Sequence, residues 1–388
     1  MSSHRPQARA EPCRPGGGER QSRVMTTTIH LSGPADMLAV LPYQLGFHPR
    51  HSLLAVSLRP SGSGTRIGLV QRIDLPPPEH VAHAVAAMMV PLRSDPPQCV
   101  LLVGFEERAG ESRAMLDQMA STCKALGVEV SDRLVVRDGR WYAPYCGRRC
   151  CPAEGLPLPP ASDVPAVAEF VGRGICPLPD RSALARRLEP ERASKSGRLS
   201  ALVGERLLLR LSVGGAGAGE LADCRAKELQ VWAQVLWGSD DGGVVPVLPS
   251  RDLAVLAVSL TDVGLRDALI AWLCPGSLAL ELIDPMLSAQ LTEALGESSR
   301  LERQVADADQ VIALQRIERR LCEVCASLPD VWAVPALTVL ATFTWWRGDG
   351  AMTRVALDRA LRIDPHYRLA ELLEEMVDLA IRPERESA

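Results

Sequence analysis

The stretch Cys146-Gly-Arg-Arg-Cys150-Cys151-Pro152, followed by Leu156-Pro-Leu-Pro-Pro160, divides the chain into two parts with different apolar patterns. Strand-like and helix-like patterns alternate before it, whereas nearly every segment after residue 164 has helical spacing. Proline interrupts both helices and central strands, so this run indicates a Cys/Pro-rich linker at 151–165. We predict an α/β domain over 25–150 and an all-α domain over 166–388.

The first part has the pattern of a mixed sheet with flanking helices. Period-two apolar residues predict a hairpin over 52–75, and the apolar run 99–105 is typical of a strand buried on both faces. Asp138-Gly139 predicts a second hairpin. With a short strand candidate at 29–31, we expect about six strands and three helices, and only strands joined through a helix can be parallel.

The second part ends in a distinctive helical hairpin between Trp345 and Pro365. Gly348-Asp349 lies at the turn between two apolar helices, Leu357 and Ala360 lie at packing positions, and Pro365 ends the second helix. This arrangement resembles one tetratricopeptide unit. Thr353 replaces the expected small residue and no second copy follows, so the hairpin is either half of a binding groove or a cap on the helical domain.

Composition argues against several classes of protein. The net charge of -4 is not that of a nucleic-acid-binding surface, and the arginines within 181–210 are offset by neighbouring acids. No apolar run approaches the roughly twenty residues that span a bilayer. Eleven cysteines without a secretory leader indicate thiols in a reducing cytoplasm rather than a disulfide framework.

Residues 1–24 contain Arg, Pro and Gly but almost no large apolar side chain. Such a segment cannot bury enough surface to order itself, so we expect a disordered tail. Met25-Thr-Thr-Thr has the character of a natural start, and we hypothesise that translation begins at Met25.

The densest group of potential metal ligands is Cys146, Cys150 and Cys151. Three thiolates after a hairpin could bind zinc or an iron–sulfur cluster. The adjacent pair Cys150-Cys151 does not follow the usual C-x2-C spacing, and no histidine lies between His83 and His366. Thiols that pack a loop are the alternative interpretation.

A second candidate site is the segment Gly46-Phe-His-Pro-Arg-His51, which links the first helix to the first hairpin strand. His48 could act there as an acid or base, with Arg72 and Asp74 converging on the same loop as ligand contacts. The alternative is that Gly46 ends a helix, His48 bonds within the loop, and Arg72 and Asp74 belong to a simple cross-strand charge pair on the solvent face of the strand.

Four segments together resemble one family. Gly46-Phe-His-Pro49, Arg72-Ile-Asp-Leu-Pro76, Cys150-Cys-Pro152-Ala-Glu-Gly155 and the Trp345–Pro365 hairpin are similar to the actinobacterial DUF4192 family, a domain of unknown function. The resemblance covers about 28–372. It implies a cytoplasmic bacterial protein without an assigned activity, and it transfers no catalytic residue.

Two hypotheses about function follow. The first is a non-catalytic interaction or regulatory protein whose helical half binds a protein partner. The second is a small-molecule-binding or metal-dependent enzyme or sensor, with its site where the Gly46–His51 loop meets the Cys146–Cys151 cluster. Neither hypothesis specifies an oligomeric state.

Overall fold

The computed structural model describes residues 33–61, 64–94, 96–147, 151–172, 174–190, 196–214, 217–238, 247–278, 282–301 and 308–381. The expected tail at 1–24, the start at Met25 and the strand candidate at 29–31 lie outside these ranges, as does Cys150.

The first part of the chain forms a mixed six-stranded sheet, as predicted. Its strands are β1 (Ser52–Ser61), β2 (Gly64–Asp74), β3 (Cys99–Phe105), β4 (Glu129–Arg137), β5 (Arg140–Tyr142) and β6 (Leu156–Pro157). Their order is β2-β1-β3-β4-β5-β6. Among these six described strands, the β3–β4 pair, which is joined through a helix, is the only parallel pair.

The origin of the sixth strand is informative. Leu156–Pro157 belongs to the Cys/Pro-rich segment that we predicted as a linker, and it pairs with β5. Asp138 and Gly139, with φ of 51° and 69°, form the tight turn between β4 and β5. Both central residues have positive φ, which is the geometry that makes Asp-Gly a hairpin signal.

Helices cover both faces of this sheet. They are α1 (Pro34–Leu45), α2 (Val81–Ser94) and α3 (Arg113–Ala125). The apolar residues of α2 and α3 pack with Leu53, Ala55 and Leu102 on one face. Residues of α1 join the cluster that contains Leu54 and Val103 on the other face.

The rest of the described chain is mostly helical. Its helices are α4 (Pro165–Gly172), α5 (Arg181–Arg186), α6 (Ser196–Gly214), α7 (Ala218–Trp237), α8 (Ser250–Ser259), α9 (Val263–Leu273), α10 (Pro285–Leu295), α11 (Ala308–Ser327), α12 (Asp330–Arg347), α13 (Gly350–Ile363) and α14 (Arg368–Asp378). Helix α12 is buried along most of its length and packs against α13 as an antiparallel hairpin. It therefore lies in the core of the helical part.

One apolar cluster connects the sheet with the helices that follow it. It contains Leu54 and Val103 from the sheet, Phe47 from the loop before β1, and α12 residues such as Phe343. Phe47 also forms an isolated β-bridge with Leu178, far along the chain. The two parts share a core across the Cys/Pro-rich segment.

Candidate functional site

Four segments of the chain meet at one edge of the sheet. Ser52 of β1 pairs with Phe105 of β3 and with Asp74 of β2, and Phe105 pairs with Val136 of β4. We call this the carboxyl edge, formed by residues 46–51, 74–75, 105–112 and 137–140. Ligand sites of open α/β sheets occur at the carboxyl ends of their strands.

Gly46 and His48 hold the loop before β1 in place. Gly46 ends α1 in the left-handed conformation, with φ of 76°, as a helix-ending glycine does. Its carbonyl accepts the N–H of Leu178 at 2.8 Å, and the His48 N–H donates to the Leu178 carbonyl at 2.9 Å. Partial burial and the positive charge of Arg50 lower the pKa of the exposed His48 ring, which favours its neutral form.

Arg72 reaches this loop. Its guanidinium lies 5.6 Å from the centre of the Phe47 ring and donates to the Arg50 carbonyl at 3.4 Å. Arg72 also forms an ion pair with Asp74, two residues along the same strand. The Asp74 side chain is 68% exposed. Of the two side chains, Arg72 is therefore the one that is more buried.

A histidine–carboxylate pair lies at the same edge. His51 Nδ1 is 3.3 Å from Glu111 Oε1, a residue sixty positions later in the chain. Burial acts to raise the pKa of Glu111, but the N–H of Glu107 and the His51 ring outweigh it, so the pKa is lowered. His51 has φ of 41°, which is uncommon for a residue other than glycine. The sequence offered His48 as a candidate acid or base at this loop, whereas the histidine that the structure places beside a carboxylate is His51.

Glu106 organises the loop between β3 and α3. Its buried carboxylate accepts the N–H groups of Gly110 and Ser112, each at 3.0 Å, and the Ser112 hydroxyl at 2.6 Å. Arg137 donates to it at 2.8 Å. Because a carboxylate of the chain itself occupies these N–H groups, they are not open to a phosphate. The position of Glu106 directly after a buried strand was the only sequence signal for it.

Cys146 and Cys151 of the predicted cysteine cluster follow strand β5 in the chain. Strand β5 runs from Arg140, opposite Arg137, to Tyr142, opposite Val135, and so carries the chain away from the carboxyl edge. Cys146 and Cys151 are half-buried and pack against the apolar cluster shared by sheet and helices. Cys150 lies outside the described residues.

A groove of about 780 Å³ runs along the amino-terminal half of β4. Asp117 and Lys124 of α3 line one side, and Tyr145 lies at its end. The Arg133 guanidinium stacks 3.3 Å from the centre of the Tyr145 ring and pairs with Asp117 at 2.9 Å. Burial and the hydrogen bond with Asp117 raise the pKa of Tyr145. Arg133, Asp117 and Tyr145 therefore interact with one another within the wall of the groove.

The helical half contains a buried charge network that the sequence analysis missed. Arg210 of α6 donates to both Glu228 of α7 and Asp262 before α9, and Arg225 binds Asp262 at 2.8 and 3.0 Å. Glu228 is fully buried, and burial raises the pKa of its carboxyl although Arg210 acts in the opposite direction. The Cys224 sulfur lies 3.6 Å from Glu228. The network ties three helices together.

Helix α6, which carries Arg210, exposes three leucines to solvent. Leu208, Leu209 and Leu211 have 70%, 60% and 65% of their surface exposed. Arg210 is directed into the network, so its neighbours in the helix are turned outward at 100° per residue. We call these three residues the leucine face of α6. The run Leu207-Leu-Leu-Arg-Leu211 was its sequence signal, because consecutive leucines cannot all lie on one buried stripe.

Two wider properties concern the described ranges only. Within them, no three His, Cys, Asp or Glu side chains form a group that could hold a metal ion. None of the helices there is both long enough and apolar enough to cross a membrane.

Comparisons with known proteins agree with the resemblance found in the sequence. No curated protein and no solved structure matches the chain. A family match covers residues 34–384, which is nearly the whole chain and includes the sheet, the carboxyl edge and the helices. The chain belongs to the DUF4192 family, a domain of unknown function.

Proposed function

We propose that this protein is a non-catalytic interaction or regulatory module of the bacterial cytoplasm, and that its helical half binds another protein. The observation that supports this most directly is the leucine face of α6. Adjacent exposed leucines on one helix are typical of surfaces that another protein covers.

The surroundings of α6 favour this surface as a binding site. Arg210 lies between the exposed leucines in sequence and is held by Glu228 and Asp262 from two other helices. A side chain bonded from two sides holds its helix at a set position and rotation, and such preorganisation lowers the entropic cost of association. The partner that fits is a protein with an apolar surface of its own.

In this proposal the terminal hairpin of α12 and α13 resembles a tetratricopeptide unit and serves as a scaffold for the helical half. Asp349 starts α13 by accepting the Met352 N–H at 3.0 Å, and Thr344 and Thr353 are hydrogen-bonded across the hairpin at 3.0 Å. Since α12 is buried, the hairpin supports the helical half from within. In this proposal the partner binds to α6 and not to the terminal hairpin.

A crosslinked pull-down from the native host tests the proposal. A photo-crosslinking residue at position 208 should capture one specific protein, and Leu209→Asp with Leu211→Asp in the same chain should lower the yield roughly tenfold. A crosslinker at Val331, a single valine that is 70% exposed on α12, is the matched control. Capture of the same proteins from both positions, or of none from position 208, would contradict the proposal.

The second candidate function is a small-molecule-binding or metal-dependent enzyme or sensor at the Gly46–His51 loop. The His51–Glu111 pair at the carboxyl edge favours it, because a carboxylate orients a histidine for proton transfer. Ligand screening by thermal shift should then find compounds whose effect His51→Ala abolishes and His83→Ala, at an exposed helix position, leaves intact. For the metal-dependent form, equal zinc and iron contents in the wild type and a Cys146/Cys150/Cys151 triple Ser variant would contradict it.

A further inference from the structure

Helix α6 carries a stripe of four residues on the side that is turned toward solvent. They follow one another at steps of three, four and three residues, and at 100° per residue they lie within about 80° of one another. The members of this outer stripe are Ala201, Gly204, Leu208 and Leu211. Steps of three and four residues are the spacing with which one helix packs along another helix.

The other side of α6 is used by the fold itself. Leu199, Val203 and Arg210 are buried there, about 150° around the helix from the centre of the outer stripe. On this inner side α6 packs against α7 and α8. Helix α6 therefore has the spacing of a packing helix on two sides, and the outer one includes two of the exposed leucines of the leucine face.

The fold of the described chain does not explain why a glycine stands at position 204. Gly204 has ordinary helical geometry within α6. A Cβ added to it would meet no atom within 4 Å in the part of the chain that the structure describes. Glycine nevertheless makes a helix interior less stable than alanine does. Close approach by a second molecule explains the glycine, because the missing side chain leaves space for that molecule.

We propose that the partner of the leucine face presents an amphipathic α-helix, which packs along the outer stripe of α6. This inference rests on the proposed function and names the kind of surface that the partner contributes. Large apolar side chains of the partner helix fill the space beside Ala201 and Gly204, and smaller ones face Leu208 and Leu211. Large residues opposite small ones allow two helices to interdigitate.

The size of the apolar surface favours a single helix over a second copy of the chain. Leu208, Leu209 and Leu211, which are 60–70% exposed, present on the order of a few hundred Å². A stable interface between two globular proteins buries about 800 Å² on each side. An amphipathic helix that lies with one apolar face on its target needs only the smaller area.

Two exposed charges border the outer stripe and give the partner helix a matching charge pattern. Arg198 and Glu205 are seven residues apart, so they lie on the same side of α6, two turns from each other. Charges that flank an apolar helix seam set the register and orientation of the partner helix. The partner helix therefore carries an acidic side chain beside Arg198 and a basic one beside Glu205.

Photo-crosslinking of the full chain in its native host tests the inference. The crosslinking residue is placed in turn at positions 198, 205 and 212, and mass spectrometry of the crosslinked peptides maps the partner residues. Seven residues of α6 span about 10.5 Å, which corresponds to about seven residues of another helix but only about three of a strand. The three positions should therefore reach one segment of one protein, in consistent order, at sites about seven residues apart.

The other outcomes of this mapping are equally decisive. Sites about three residues apart, or sites scattered over several segments of the partner, would overturn the inference but leave the proposed function intact. Sites within the chain's own sequence would overturn it and assign the face to a second copy. Failure to capture any specific protein from position 208 would instead contradict the proposed function on which the inference rests.

Gly204→Leu provides an independent measurement, with the crosslinking yield from position 208 as the readout. The added side chain has free space in the described chain, so the thermal unfolding midpoint should not fall. It occupies the space of the partner helix, so the yield should fall about tenfold. Gly172→Leu at the end of α4, where an added Cβ likewise meets no described atom within 4 Å, is the matched control and should keep the wild-type yield. A wild-type yield from Gly204→Leu would overturn the inference.

Discussion

At the scale of single residues, Glu106 is the side chain on which the carboxyl edge depends most. Its carboxylate accepts two backbone N–H groups, the Ser112 hydroxyl and Arg137. Glu106→Gln replaces one accepting oxygen by a donor that faces other donors. We expect a loss of about 2–4 kcal/mol in the free energy of unfolding, because buried N–H groups and Arg137 lose their partner. Urea unfolding measures this.

Glu107→Gln is the control for that change, since it removes the same charge from an exposed neighbouring side chain. It should alter the free energy of unfolding by less than about 0.5 kcal/mol. If both variants have the same urea midpoint, Glu106 does not organise the loop.

At the scale of elements, β3 and α3 approach closely at Gly104. An added Cβ there would lie 2.2 Å from the Ser112 hydroxyl oxygen and 2.6 Å from its Cβ. Gly104→Ala should therefore destabilise the protein by about 3 kcal/mol, because Ser112 is held by Glu106 and cannot move without loss. Thermal unfolding should show partial recovery in the double variant Gly104→Ala/Ser112→Gly. Gly204→Ala in α6, where an added Cβ meets nothing within 4 Å, should not destabilise.

The junction of α6, α7 and α9 should give stability that depends on pH. Burial acts to raise the pKa of Asp262, but Arg225 and Arg210 outweigh it, so the pKa is lowered from its ordinary value of 3.8. A lowered carboxyl pKa adds stability above the ordinary value, and this stability disappears as the pH falls through the folded-state pKa. Asp262→Asn should cost stability at pH 7 and progressively less below pH 3.8. A cost that stays constant across that range would show that the charge is not responsible.

At the scale of the whole molecule, the shared core predicts one cooperative unfolding unit. The apolar cluster joins Val103 of the sheet to Phe343 of α12. Under native-state hydrogen exchange, amides of β3 and α12 should therefore reach the same maximal free energy of opening. Two plateaus that differ by more than about 2 kcal/mol would show that the α/β and helical parts unfold separately.

Local patterns were sufficient to predict most elements of this chain. Periodicity located the hairpin that became β1 and β2, and apolar continuity located β3. Asp138-Gly139 located the β4–β5 turn, and helical spacing located the helices after residue 164. These features depend on side chains within one or two turns of each other. The order of residues along the chain is therefore enough to predict them.

The groups that meet at the candidate sites could not be predicted in the same way. Glu111 joins His51 across sixty positions, and Asp262 joins Arg210 across 52. The sequence by itself determined the strand and helix patterns and the family resemblance. Only the tertiary structure decided that His51 rather than His48 gains a carboxylate and that α6 presents its leucines outward. The reason is that contacts between distant segments are set by the packing of whole elements, and spacing along the chain does not encode it.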